Sequence, residues 1–192
     1  MNALIASYSL LAIERDKSSP VDLKENHSLE TLDGVVNVNR KGTAVLVGHI
    51  QEPIETVKAE GSNRSLKIKR EKFAKGLIGV SGDDDGYKKL LGQKPEILPE
   101  SNVMKTRVGE EMTFKILLDA NRSNLRSMQP TTALAGRSMT FVYATESLDD
   151  GIAYVKVTSP GVWVLRVEKR IETNARDFDL LSLKATLVFS VQ

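Results

Sequence analysis

Cysteine is missing altogether from this sequence. That excludes disulfides, thiolate metal sites and cysteine nucleophiles, and it leaves the compartment open. Histidine is nearly missing, with only His27 and His49. Imidazole is a favoured ligand for nickel and zinc, but a protein site takes several donors in a defined geometry. No apolar run reaches the roughly 18–20 residues of a membrane helix. No stretch carries a strong helical period. Charge of one sign is also lacking. Residues 1–95 hold 15 basic and 13 acidic side chains, and residues 96–192 hold 12 of each. Neither half has the excess expected of a nucleic-acid-binding domain, so nucleic acid is not an expected partner. There is no G-x-S-x-G, no H-E-x-x-H and no phosphate-cradling glycine loop, and no Ser-His-Asp order stands out. A non-enzymatic protein is the expectation.

What is present is a soluble composition, 41% hydrophobic and 27% charged, able to bury a core. The most informative stretch is Glu146 to Ile171. Asp149-Asp150-Gly151 is turn chemistry, since carboxylates bond the local backbone and Gly151 accepts positive φ. Ile152 to Val157 alternates, with Ala153, Val155 and Val157 on one face. Pro160-Gly161 is a second turn. Val162 to Val167 then puts Trp163, Leu165 and Val167 on one face. Two such runs around a short turn predict a β-hairpin. Trp163, the sole tryptophan, is the expected core anchor.

Elsewhere, strands are predicted within Ala3–Glu14 and over Thr43–Ile50, Leu66–Gly79, Met112–Leu118, Met139–Thr145 and Leu181–Val191. Asp33-Gly34 reads as the turn of another hairpin. Arg15–Ser28, Gln51–Ser65 and Asp119–Ala135 read as loops, and Tyr87–Leu91 as one helical turn. Pro95 and Pro99 place a domain boundary in Gly92–Asn102. Short strands at intervals of about ten residues indicate an all-β chain of two Ig-like or transthyretin-like β-sandwich domains, residues 1–95 and 96–192.

Three groups are candidates for chemistry. His49, with His27, is the candidate metal ligand; the plainer reading of His49 is a strand histidine held by a hydrogen bond. Asp83-Asp84-Asp85-Gly86 invites calcium, but three consecutive aspartates cannot all point inward, so a solvated turn is expected. Arg64, Lys67, Lys69, Arg70, Lys72 and Lys75 form a basic cluster that reads either as an anionic-surface patch or as a charged edge strand that resists pairing. Tyr143, Tyr154, Met128 and Met139 are expected in the core.

The segments KPEILPESNV (Lys94–Val103), VGEEMTFKILLDA (Val108–Ala120), SLDDGIAYVKV (Ser147–Val157), SPGVWVLRVEKR (Ser159–Arg170) and KATLVFSV (Lys184–Val191) occur in an order that resembles a family. It is a family of exported bacterial proteins of unknown function related to NikM-type accessory components of nickel and cobalt uptake. EKFAKGLIGV (Glu71–Val80) resembles the stretch ending that family's first domain. The resemblance covers residues 66–192. It implies two β domains, a periplasmic or secreted location, nickel or cobalt as the associated ion, and an envelope transport component as partner. Metal-handling members carry histidines near the mature N-terminus, where this chain has His27 alone. The apolar start, MNALIASYSLLAIERD, lacks a basic n-region and a clear cleavage site and does not read as a signal peptide; if the natural protein is exported, this chain is a trimmed or mature form with an added Met. The alternative, from another class, is an adhesive sandwich that engages a protein through a sheet edge or loop tips.

Overall fold

Leu180–Val191 reads LLSLKATLVFSV. An extended chain sends alternate side chains to opposite faces. Leu183, Ala185, Leu187, Phe189 and Val191 therefore share one side, and all five are buried. The same alternation builds the other long strands. The computed structural model describes residues 7–14, 17–29, 31–38, 40–59, 61, 63–80, 84–119, 121–122, 128–132 and 151–192, and the fold is all-β. The strands are β1 (Ser7–Glu14), β2 (Lys17–Pro20), β3 (Leu23–Asn26), β4 (Thr31–Gly34), β5 (Gly42–Gln51), β6 (Glu55–Lys58) and β7 (Ser65–Val80). They continue with β8 (Pro95–Pro99), β9 (Glu111–Leu118), β10 (Asn121–Arg122), β11 (Met128–Thr132), β12 (Ile152–Lys156), β13 (Gly161–Glu172) and β14 (Leu180–Val191). Gly86–Lys88 and Val103–Lys105 are short 3₁₀ turns. Among the described residues no helix is long and apolar enough to cross a membrane.

The main sheet runs β11-β13-β14-β7-β5-β1-β2, and β6 also pairs with β7. β14 and β7 are parallel; the other neighbours are antiparallel. A second sheet runs β10-β9-β12, with β8 also on β9, and β3-β4 form a separate ribbon. The two larger sheets pack into a sandwich-like body. Met112, Phe114 and Ile116 of β9 meet Trp163, Leu165, Leu187 and Phe189 in one core, which Val45, Leu77 and Tyr87 also join. The Phe114 and Phe189 rings lie 6.1 Å apart between the sheets. Strands from both sides of residue 95 thus share one sheet and one core. The expected division into 1–95 and 96–192 does not coincide with a division between sheets.

The expected hairpin of Ile152–Val157 and Val162–Val167 is corrected. β12 pairs with β9, whereas β13 pairs with β14 and β11. The intervening turn carries the chain from one sheet to the other, so the buried faces of β12 and β13 meet across the core instead of lying side by side. Gly161 opens β13 at φ 120°, a conformation that glycine adopts without strain. Trp163 is buried, and its Nε1 donates to the Ser159 carbonyl at 3.0 Å, which holds the crossing loop onto the core. Gly151 is buried at φ 76° just before β12, and Pro160 is exposed.

Other expectations change as well. Asp33-Gly34 lie inside β4, and the ribbon turns instead at His27–Leu29, after Asn26. β2, β3, β6, β8, β10 and β11 fall where loops or the boundary were expected. β7 is not an edge strand: it has β5 on one flank and β14 on the other. The strand expected at Met139–Thr145 and the turn residues Asp149-Asp150 lie outside the described residues.

A buried polar tie joins the sheets. Lys75 of β7 and Glu96 of β8 form an ion pair with side chains only 3% and 1% exposed. Lys75 also donates to the Lys89 carbonyl at 2.9 Å. Glu96 accepts from the backbone N–H of Leu91 and of Gly92, each at 3.0 Å. Burial pulls the Lys75 ammonium below the ordinary lysine range, and the Glu96 charge only partly restores it.

Candidate functional site

The inward face of β7 changes character along its length. Leu77 belongs to the shared core. Lys75, Phe73, Glu71 and Lys69 follow at two-residue spacing, so all point to the same side of the sheet. β5 presents Val47, His49 and Gln51 beside Lys75, Phe73 and Glu71. His49 and Phe73 are directly paired, and their rings stack with centroids 4.6 Å apart and planes 13° apart. This end of the sheet forms a ledge beyond the apolar core.

Glu71 organises the ledge. Its side chain is 4% exposed, and three cationic or ionisable groups converge on it. Lys69 Nζ lies 3.1 Å from Oε1, while Lys94 Nζ and His49 Nε2 lie 3.7 and 3.8 Å from Oε2. Burial alone would raise the Glu71 carboxyl, but Lys69, Lys94 and His49 outweigh it and hold the carboxyl below the usual glutamate value. The imidazole is 37% exposed at its side chain, yet its Nε2 is shielded and makes no hydrogen bond. The expected hydrogen bond holding His49 is therefore not made at Nε2; stacking on Phe73 sets the ring plane. Lys69 Nζ also sits 5.7 Å above the Phe178 ring.

The two candidate metal ligands are not brought together. His27 stands in the turn of the β3-β4 ribbon, 88% exposed, with Nε2 3.8 Å from Glu25. His49 lies in the main sheet. Among the described residues no three His, Cys, Asp or Glu side chains gather as a metal ligand set. His49 and Glu71 are two donors side by side, and Lys69 and Lys94 already flank the carboxylate.

Of the acidic turn, Asp83 lies outside the described residues, and Asp84 serves structure. Asp84 accepts from the Thr43 N–H at 2.9 Å, the Thr43 hydroxyl at 2.7 Å and the Gly86 N–H at 3.2 Å. This knot fastens the segment after β7 to the start of β5. Gly42 lies against it at φ 116°, and a Cβ there would overlap the Asp84 carboxylate.

The basic cluster is divided by alternation. Lys69 and Lys75 point inward to Glu71 and Glu96. Arg70 and Lys72 point outward and pair with Glu55 and Glu52, which lie in and just before β6. Arg70, Lys72 and Lys75 each have a carboxylate of their own, which removes the open anionic-surface patch as an account of these three, whereas Lys69 shares Glu71 with Lys94. Tyr154, expected in the core, is instead among the exposed large hydrophobics. Tyr143 and Met139, and the side chain of Met128, lie outside the described residues.

Sequence reasoning missed Glu71, Glu96 and Lys94. The signal for Glu71 was its two-residue spacing from Phe73, opposite a strand bearing His49. No curated protein and no solved structure matches this chain. A family model does match residues 7–171, most of the chain, and the chain belongs to that family, described as Domain of unknown function (DUF4198).

Proposed function

We propose that the protein is a non-enzymatic binding and accessory module of the cell envelope, periplasmic or secreted, working beside nickel or cobalt uptake. The observation that carries this reading is the ledge: a half-exposed imidazole and two half-exposed lysines are arranged around a buried Glu71 beyond the apolar core. The ionisable side chains deeper in the fold are taken up structurally, Lys75 by Glu96 and Asp84 by Thr43. The setting in metal uptake rests on the sequence resemblance. In it, the chain docks on a transport component and the ion is that component's cargo.

Calorimetry with nickel and cobalt, on the native chain and on His49→Ala, tests the metal part. The expected result is no saturable heat from either ion. Tight saturable binding lost in His49→Ala would make this chain an ion carrier in its own right, with His49 as a ligand.

A second reading is favoured by a specific observation. Leu29 and Val35, at the turn and the end of the β3-β4 ribbon, are 69% and 85% exposed. Exposed apolar side chains on a solvent-exposed ribbon suit adhesion to a protein surface. Light scattering of the native chain against Leu29→Ser/Val35→Ser would show whether they drive association.

A further inference from the structure

The ledge has a charge asymmetry that limits what it can hold. Lys69 and Lys94 bring two positive charges to one carboxylate. Glu71 lies beneath, 4% exposed, while Lys69 and Lys94 remain 32% and 47% exposed. A ligand arriving from solvent therefore meets ammonium groups and not the carboxylate. The shared carboxylate also fixes both lysines near one point, which lowers the entropy lost when a ligand orders them. A cation would have to displace two ammoniums from Glu71. An anion leaves them in place and offsets the remaining charge. The partly exposed His49 ring beside them, backed by the buried Phe73, offers a flat surface to the stem of a side chain.

We propose that the ledge binds a carboxylate, presented by an acidic segment of a partner protein, with Lys69 and Lys94 as the contacting groups. Glu71 is a positioning residue that holds them. This rests on the reading of the chain as a binding module and specifies the chemistry of what docks. Charge complementarity selects the occupant: one glutamate or aspartate side chain over the two ammoniums forms charge-assisted hydrogen bonds, the stronger class of such contacts.

The test is nuclear magnetic resonance of the full chain at fixed ionic strength. The probes are a capped peptide of alternating Glu and Ala and its counterpart with Gln in place of Glu. The expected result is that the acidic peptide shifts the resonances of Lys69, Lys94 and the His49 ring, and the Gln peptide does not. Lys94→Ala should weaken the acidic peptide by about tenfold, the size of one charge-assisted hydrogen bond. Its spectrum away from the ledge should be unchanged, because Lys94 is a half-exposed loop residue. Equal shifts from both peptides, or unchanged affinity in Lys94→Ala, would overturn the proposal. If the Gln peptide perturbs the ledge and the acidic peptide does not, carboxylate recognition fails while the binding-module reading stands. If neither peptide touches the ledge, both fail.

Discussion

Removing Glu96 is the sharpest perturbation that this fold offers. In Glu96→Ala the Lys75 ammonium stays buried with only the Lys89 carbonyl as partner. The N–H groups of Leu91 and Gly92 lose their shared acceptor as well. Breaking a buried ion pair from one side costs about 3–5 kcal/mol, a large share of the roughly 5–15 kcal/mol that holds a domain together. With a urea m-value of about 2 kcal/mol/M, the midpoint should fall by about 2 M. Trp163 is the sole tryptophan and lies in the shared core, so its fluorescence reports unfolding directly. Lys75→Met should lose about half as much, because the Glu96 carboxylate would keep both backbone donors. A loss under about 1 kcal/mol in Glu96→Ala with an unchanged m-value would refute the claim that this pair ties the sheets. So would the reverse order of the two variants.

Three further outcomes follow from the same geometry. Trp163→Ala should cost about 3–5 kcal/mol in urea unfolding followed by circular dichroism, since it empties a large core site; a near-neutral result would mean that the ring is not packed as described. Gly42→Ala adds a side chain at φ 116° against Asp84, and thermal melting should show a loss of about 1–3 kcal/mol. Burial raises the carboxyls of Glu71 and Glu168, but their lysine and arginine neighbours lower them further, to a net position below 4.5. The unfolded chain then binds more protons than the folded one as pH falls through and below 4.5, so stability should drop in that window and be fully present above it. Urea midpoints across the window test this, and Glu168→Gln should show the shallower dependence.

The alternation in Leu181–Val191, Met112–Leu118 and Ile152–Val167 was enough to place β14, β9, β12 and β13 and the buried side of each. A strand's own period tells which residues share a face, because the backbone enforces it. It does not tell which strand lies alongside, and for that reason β12 and β13 read as a hairpin although they belong to different sheets. Asp33-Gly34 failed for a related reason: turn chemistry competes with the pairing offered by Leu23–Asn26, and the ladder won. Pro95 and Pro99 read as a linker, yet they bracket β8; proline is tolerated at strand ends. The ledge was half legible. His49 stood out by rarity, but Glu71 and Lys94 are common residues whose meaning comes only from the register of β5 on β7 and the approach of the following loop.

The parallel pairing of β14 with β7 also governs the order in which the chain can fold. Lys67 and Asp179, bonded at the start of that ladder, are 112 residues apart in sequence. Contacts of such separation demand loop closure before they return any stabilisation, which slows folding. β5 and β7 can form their ladder early, but the middle of the main sheet stays open on the β14 side until residues 180–191 arrive. During synthesis the inward side of β7, Phe73 and Leu77 included, must wait with one flank unpaired. A growing chain in that state is open to capture by another strand, which makes the last twelve-residue strand the closing step of the whole body.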